Sequence, residues 1–250
     1  MTVDAFGMSD AGSRDANEDR ILVDNALGLY VICDGMGGHH RGEVAAELAI
    51  SAIRHFVEAT KGRLDVTWPF GYDFDLSIDG NRLGTSVRLA NRQVWRRAEQ
   101  SIEYAGMGTT IAAVLVNGDQ VTIANVGDSR VYRLRGGTLT RLTVDDTMVD
   151  SMVRRGLLTP EEVLKHPLRN VLTRAAGSQD TIDVHLADDT VQSGDVFLLS
   201  SDGLHGTVKD HVIGRMLACG SSEECITRLL EAAKNAGGPD NISAVVLRYS

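Results

Sequence analysis

The sequence predicts an α+β fold in which helices pack over antiparallel sheet, and three observations carry that prediction. Short β-type runs are closed by turn residues, several of their connections are too short for a parallel crossover, and helical patterns stand in separate blocks. The β-type runs are "RILVD" (20–24), "LYVIC" (29–33), "TTIAAVLV" (109–116), "QVTIANV" (120–126), "SRVYRL" (129–134), "DVFLLS" (195–200) and "NISAVVLRY" (241–249). "NGDQ" at 117–120 joins two of them as a hairpin, and "LRGGTLTRL" at 134–142 is a second hairpin signal. Over 43–58, Ala45, Leu48, Ala49, Ala52, Ile53 and Phe56 fall on one helical face, and over 81–99 Leu83, Val87, Ala90, Val94 and Ala98 do the same. A further helical pair is predicted near 208–218 and 222–235, stopped by Gly237 and Gly238. Residues 60–80, "TKGRLDVTWPFGYDFDLSIDG", read as a loop between helices, and 143–178 as a mixed segment long enough for a functional lid. No repeat or linker divides the chain, so residues 1–250 are read as a single domain.

With 250 residues, 43 % of them hydrophobic and 24 % charged, the chain is long enough to bury a core without staples. A net charge of -9 argues against a nucleic-acid binder, which needs clustered Lys and Arg to neutralise phosphates. The three cysteines, Cys33, Cys219 and Cys225, show no CxxC spacing, so neither a disulfide framework nor a zinc site is expected. Cys33, inside "LYVIC", reads as a small hydrophobe. The first twenty residues are polar and acidic, unlike a signal peptide, and no apolar run approaches a membrane span. A cytoplasmic monomer without nucleic-acid or membrane partners is the expectation.

Acidic residues gather at the ends of the predicted strands. Asp34, Asp128 and Asp202 each follow one, Asp240 precedes the last, and Glu18 and Asp19 precede "RILVD". Several carboxylates facing one crevice repel unless cations lie between them, and hard divalent ions such as Mg²⁺ or Mn²⁺, bound through oxygen, answer that need. Gly35 lets the backbone approach closely enough for its carbonyl to act as a ligand. A P-loop is excluded, because "GMGGHHRG" is not followed by Lys and Ser/Thr. A lone Asp-Gly would ordinarily be a turn or helix cap; the other acidic positions are what favour a metal site. His39 and His40 lack the i, i+4 spacing of helical ligands and read as a solvated loop.

In this order, "SDAGSRDANEDR", "ICDGMGGHHRGEVAAELA", "GMGTTIAAVLV", "ANVGDSRVYRLRGG", "LTVDDT", "LTRAAG", "LLSSDGLHG" and "GGPDNISAVVL" resemble the metal-dependent serine/threonine protein phosphatases of type 2C, in their short bacterial form. The resemblance runs from about residue 7 to Ser250. It implies a sandwich of two antiparallel sheets flanked by helices, α-β-β-α, with a flap over about 143–178 beside the active site. It further implies two Mn²⁺ or Mg²⁺ ions bridged by Asp34 and by a nucleophilic water. The Gly35 carbonyl would hold one ion, Asp202 and Asp240 the other, and Glu18 and Asp19 would support the metal waters or bind directly. Arg14 matches the arginine that grips the substrate phosphate, and Asp128, with Asp202, a ligand of a third, weaker metal. Two departures stand out. Gly206 occupies a place where many members carry aspartate, which weakens the third site. Met36 stands where animal-type members have a histidine suggested as general acid, leaving a metal-bound water or another group to protonate the leaving oxygen, with His40 and His205 as candidates that otherwise read as surface histidines.

The activity so implied is hydrolysis of phosphoserine and phosphothreonine in proteins, reversing a bacterial Ser/Thr kinase. Two other readings stay open: a phosphatase-like scaffold that binds phosphorylated partners without turnover, and a two-metal hydrolase of small phosphoesters. The aromatic residues of "TWPFGYDF" are expected to be exposed as a contact surface.

Overall fold

The computed structural model describes residues 2–37, 41–63, 65–163 and 166–250. The strands are β1 (Val3–Asp10), β2 (Arg20–Asp24), β3 (Leu29–Cys33), β4 (Gly35–Met36), β5 (Gly108–Thr109), β6 (Ile111–Asn117), β7 (Gln120–Val126), β8 (Arg130–Arg135), β9 (Thr138–Arg141), β10 (His185–Thr190), β11 (Val196–Ser200) and β12 (Ile242–Tyr249). The helices are α1 (Arg41–Thr60), α2 (Ile78–Gln100), α3 (Met148–Arg154), α4 (Pro160–Val163), α5 (Asp202–His205), α6 (Asp210–Leu217) and α7 (Ser222–Asn235). One sheet has the order β1-β12-β11-β8-β9, the other β10-β7-β6-β3-β2, and β4 pairs with β5 alone. All pairings are antiparallel.

Alternation along the strands explains the layers. Tyr30 and Ile32 of β3 pack inward against Phe197, Leu199, Val245 and Leu247 of the facing sheet, forming the sandwich core. Their neighbours Leu29, Val31 and Cys33 point outward into α1 and α2, meeting Ala45, Ala49, Ile53, Leu83 and Val87. On the other side, Leu198, Ala244 and Val246 meet Leu204, Ile213, Ile226 and Leu229 of α5, α6 and α7. The result is a four-layer α-β-β-α sandwich. A strand covered on both faces has no polar face to display, which is why "LYVIC" and "VFLLS" are continuous apolar runs. Cys33 is fully buried in this packing, and burial drives its thiol far above the ordinary range.

Turn and cap chemistry bounds the elements. Gly118 (φ 66°) turns the β6–β7 hairpin, and Gly136 and Gly137 (φ 55° and 80°) turn the β8–β9 hairpin, both in the left-handed region a tight hairpin requires. Ser77 caps α2 by accepting from Gly80 N at 2.8 Å. Ser221 and Glu224 form a reciprocal capping box on α7. Residues 143–178 carry α3 and α4, and are drawn together by bridges from Thr147 to Leu172 and from Thr109 to Ala176. Among the described residues no helix is long and apolar enough to cross a membrane.

Candidate active site

Register gathers the acidic residues. Arg20 pairs with Cys33, so Glu18 and Asp19, before β2, meet Asp34, after β3. Ser200 pairs with both Arg130 and Ala244, so Asp202, just past β11, lies beside Asp128, ahead of β8, and Asp240, ahead of β12. Both sheets therefore present these residues at one end of the sandwich.

Close backbone contacts lock the loops. Gly35 and Gly42 pack back to back: a Cβ on Gly35 would lie 2.1 Å from Gly42 O. A Cβ on Gly203 would lie 2.0 Å from Asn241 O, and one on Gly12 2.1 Å from Asp240 O. Asn241, 7 % exposed, is the hub: its Oδ1 accepts from Glu18 N (2.8 Å) and its Nδ2 donates to Ala11 O (3.0 Å) and Ala16 O (2.9 Å). Thr110 Oγ1 accepts from Asp34 N (3.0 Å), and Thr110 N and Thr109 Oγ1 donate to Asp34 O (2.8 and 2.9 Å). Asp34 is thus placed by one backbone–backbone bond and two threonine hydroxyls. Glu18 Oε1 accepts from Gly42 N at 3.2 Å, at the positive N-terminus of α1. Neither Asn241 nor Thr110 stood out in the sequence; the only trace was their adjacency to acidic or glycine motifs.

The electrostatics are those of carboxyls crowded together. Asp34 is raised well above the usual carboxylate range, by burial first and then by Asp19, Asp202, Asp128 and Asp240. Burial, then Asp202 and Asp145, push Asp128 up to about 7. Asp202 is raised by burial and by Asp240, and Asp19 by burial to about 6. Asp19 is 1 % exposed, and neither of its carboxylate oxygens has a hydrogen-bond partner. The hydroxyls of Ser201 and Ser243 stand close enough to temper its shift; Ser201 Oγ accepts from Ser243 N, and Ser243 Oγ donates to Ser9 Oγ. Buried, unpartnered carboxylate oxygens are rare, and a set of oxygen donors without sulfur or imidazole suits a hard divalent cation. Among the described residues no three acidic, histidine or cysteine side chains already form an ion cage.

The sign of the linkage follows. These carboxyls are raised in the folded chain, so between about pH 4, the ordinary range, and about pH 7 the folded state holds more protons than the unfolded one. The metal-free fold is expected to keep this contribution at low pH and lose it as pH rises through that window. Urea midpoints in EDTA at pH 5 and pH 8 check this; a higher midpoint at pH 8 would contradict it.

Arg14 lies at the rim and is directed onto the cluster. Its Nη2 donates to Asp240 Oδ2 at 2.9 Å and its Nε to Pro239 O at 3.0 Å. His205 is not the surface histidine the sequence suggested: it is half-buried, with Nδ1 2.9 Å from Ser200 Oγ. Burial, with Arg130 and Arg141, holds its pKa well below the ordinary value, so it is neutral and a poor proton donor at neutral pH. Met36 pairs with Gly108, and its side chain covers that glycine. Gly206 ends α5 with its N–H on Asp202 O at 2.7 Å, and a Cβ there would approach the same oxygen to 2.6 Å. An aspartate at this place would require the Asp202 turn to shift. Gly38, His39 and His40 lie outside the described residues.

Comparisons with known proteins agree with this arrangement. Residues 6–244 match the family model described as Protein phosphatase 2C. The serine/threonine protein phosphatase PstP of Mycobacterium tuberculosis is 38 % identical over 238 residues, covering 95 % of this chain and 43 % of PstP. The chain therefore spans less than half the length of that relative. The crystal structure of Mycobacterium tuberculosis PstP/Ppp superposes with a TM-score of 0.87 at 36 % identity, covering 100 % of both chains. The catalytic domain of PstP in complex with two manganese ions superposes at 0.83 and 35 % identity, covering 98 % of this chain and 97 % of that one.

Proposed function

The chain belongs to the protein phosphatase 2C family, and from that membership we propose that it hydrolyses phosphoserine and phosphothreonine esters in proteins, with Mn²⁺ or Mg²⁺ as cofactor. The observation that carries this reading is the convergence of Asp19, Asp34, Asp128, Asp202 and Asp240 in a pocket where Asp19 has two orphaned oxygens. When bound, a pair of divalent ions supplies an activated water at neutral pH and neutralises charge on the phosphoryl oxygens.

This chain's residues would divide the remaining work. Asp34, fixed by Thr109 and Thr110, would bridge the two ions, with the Gly35 carbonyl on one and Asp202 and Asp240 on the other. Glu18 and Asp19 would order the surrounding waters, and Asp128 with Asp202 would hold a third, weaker ion. Arg14 would turn its guanidinium fork onto the phosphate as a bidentate donor. The flap over about 143–178 would border the substrate. A kinase acting on Ser and Thr must supply the phosphoproteins, and we place the reaction in the cytoplasm of a bacterium.

The decisive experiment is phosphate release from a phosphothreonine peptide by the wild type and Asp202→Asn, in EDTA, Mg²⁺ and Mn²⁺. Metal-dependent turnover lost in the variant supports the phosphatase. Phosphopeptide binding without turnover in any metal would make the chain a phosphatase-like binding protein. Arg14→Ala is expected to have two opposed effects: tighter Mn²⁺ binding, because Asp240 loses its resident counter-charge, and a KM raised about tenfold or more through loss of a charge-assisted phosphate contact. Calorimetric titration with Mn²⁺ and steady-state kinetics separate the two.

A further inference from the structure

Between α1 and α2 the chain holds an aromatic side chain out in water. Phe56, Trp68, Tyr72 and Phe74 form a ladder of edge-to-face rings, with successive centroids 6.5, 5.5 and 5.2 Å apart. Trp68 and Phe70 are half-buried rather than exposed, whereas Tyr72 is 38 % and Phe74 91 % exposed. Two buried residues pin the loop. Arg82 donates to Thr60 Oγ1 (3.1 Å) and Thr60 O (3.2 Å) at its start. Asn81 accepts from Asp73 N and donates to Asp73 O, both at 2.8 Å. Asp73 Oδ1 then accepts from Asp75 N at 2.9 Å, which leaves Phe74 at the tip of a turn flanked by two carboxyl groups.

The same loop already engages a cation. The Arg92 guanidinium stands 4.7 Å from the centroid of Phe70. At Phe74 the corresponding place is open, while Asp73 and Asp75 add negative charge beside the ring in a chain of net charge -9. A ring with adjacent carboxylates fits a guanidinium, which stacks and makes forked hydrogen bonds, better than the strongly hydrated ammonium of lysine.

We propose that the Trp68–Tyr72–Phe74 arm, set between Asp73 and Asp75, is a docking platform for an arginine-bearing segment of the phosphoprotein substrate. This rests on the phosphatase reading above. The distance sets the segment's place. The N-terminal end of α1 packs on Gly35 and its 20 residues end at Thr60, so the platform lies about 30 Å from the carboxylate crevice at ~1.5 Å per residue. An extended chain covers that span in about nine residues, so the arginines must lie at least that far from the phosphorylated residue.

The test uses fluorescent peptides carrying three arginines or three lysines, measured by anisotropy against wild type, Phe74→Ala and the Asp73→Asn/Asp75→Asn double variant. Arginine is expected to bind about fivefold tighter than lysine, and either variant to weaken arginine binding about tenfold. With phosphothreonine peptides bearing the arginines twelve residues away, Phe74→Ala should raise KM about tenfold and leave kcat and aryl-phosphate hydrolysis unchanged. Equal binding of both peptides, or arginine binding indifferent to Phe74, would overturn the platform. So would a concentration-dependent dimer, or flotation with phosphatidylserine vesicles, that Phe74→Ala abolishes. Phe74-dependent, arginine-selective binding by a chain that releases no phosphate would uphold the platform and overturn the phosphatase reading.

Discussion

Replacing Asp34 by Asn is expected to cut metal-dependent phosphate release by about 10²–10³-fold, the scale of losing one charge-stabilising group in an active site, while making the metal-free chain more stable. The two effects share a cause. Asp34 is the carboxyl most besieged by its neighbours, with Asp19, Asp202, Asp128 and Asp240 all opposing its ionisation. An amide of the same shape removes that repulsion and keeps the backbone bonds to Thr110. The same change removes the charge proposed to hold two cations together. Urea denaturation in EDTA and phosphate release in Mn²⁺, on one preparation, test both signs. A variant that loses turnover and also loses metal-free stability would show that Asp34 is needed for the fold and would leave its catalytic role unsupported.

Gly42→Ala is expected to disrupt the site from outside the carboxylate set. Its new Cβ would lie 2.4 Å from Gly35 C and 2.6 Å from both Gly35 O and Met36 N, all of them backbone atoms. Relief requires α1 to move off β4, which carries the proposed Gly35 ligand. The expected loss is about 3 kcal/mol, at the upper end for overpacking because no flexible side chain can yield. Gly214→Ala in α6 is the control: its Cβ would meet only Leu139, at 3.4 Å or more, and a helical Gly→Ala change there should be neutral or stabilising. Urea midpoints for the two variants should move in opposite directions or differ widely. Equal midpoints would mean that the Gly35–Gly42 contact is not tight.

Much of this fold was legible because its central strands β3, β6, β7, β11 and β12 are covered on both faces. Residues 20–24, 29–33 and 120–126 carry β-type runs, continuously apolar only in "LYVIC", and are strands over those residues, and 222–235 is a helix bounded by its capping box. Of the longer strands, β1 and β10 had no such signal, and both are sheet edges. "VDAFGMSD" is interrupted by Gly7 and by acidic residues, and "HLADDT" is largely polar; each is held extended by one long partner, β12 or β7. That partner comes from tertiary structure, which local propensity does not report. The acidic residues were legible as a set because strand ends recur, and their convergence followed from antiparallel register. The contacts that fix them were not. Arg14 reaches Asp240 across 226 positions, and Asn241 binds Glu18 across 223. No spacing rule connects residues so far apart.

The position of β12 has a kinetic consequence. It lies between β1 and β11, so until it arrives β1 has no sheet partner and β11 is paired on one side only, with β8. Contacts of such long sequence separation carry the full loop-closure cost before any pairing repays it, and chains built this way fold slowly through open intermediates. A growing chain on the ribosome would hold Asp34, Asp128 and Asp202 long before Asp240 and Asn241 join them. A chain truncated before Asp240 would lack one member of the carboxylate set and the Asn241 hub that ties Glu18 to it.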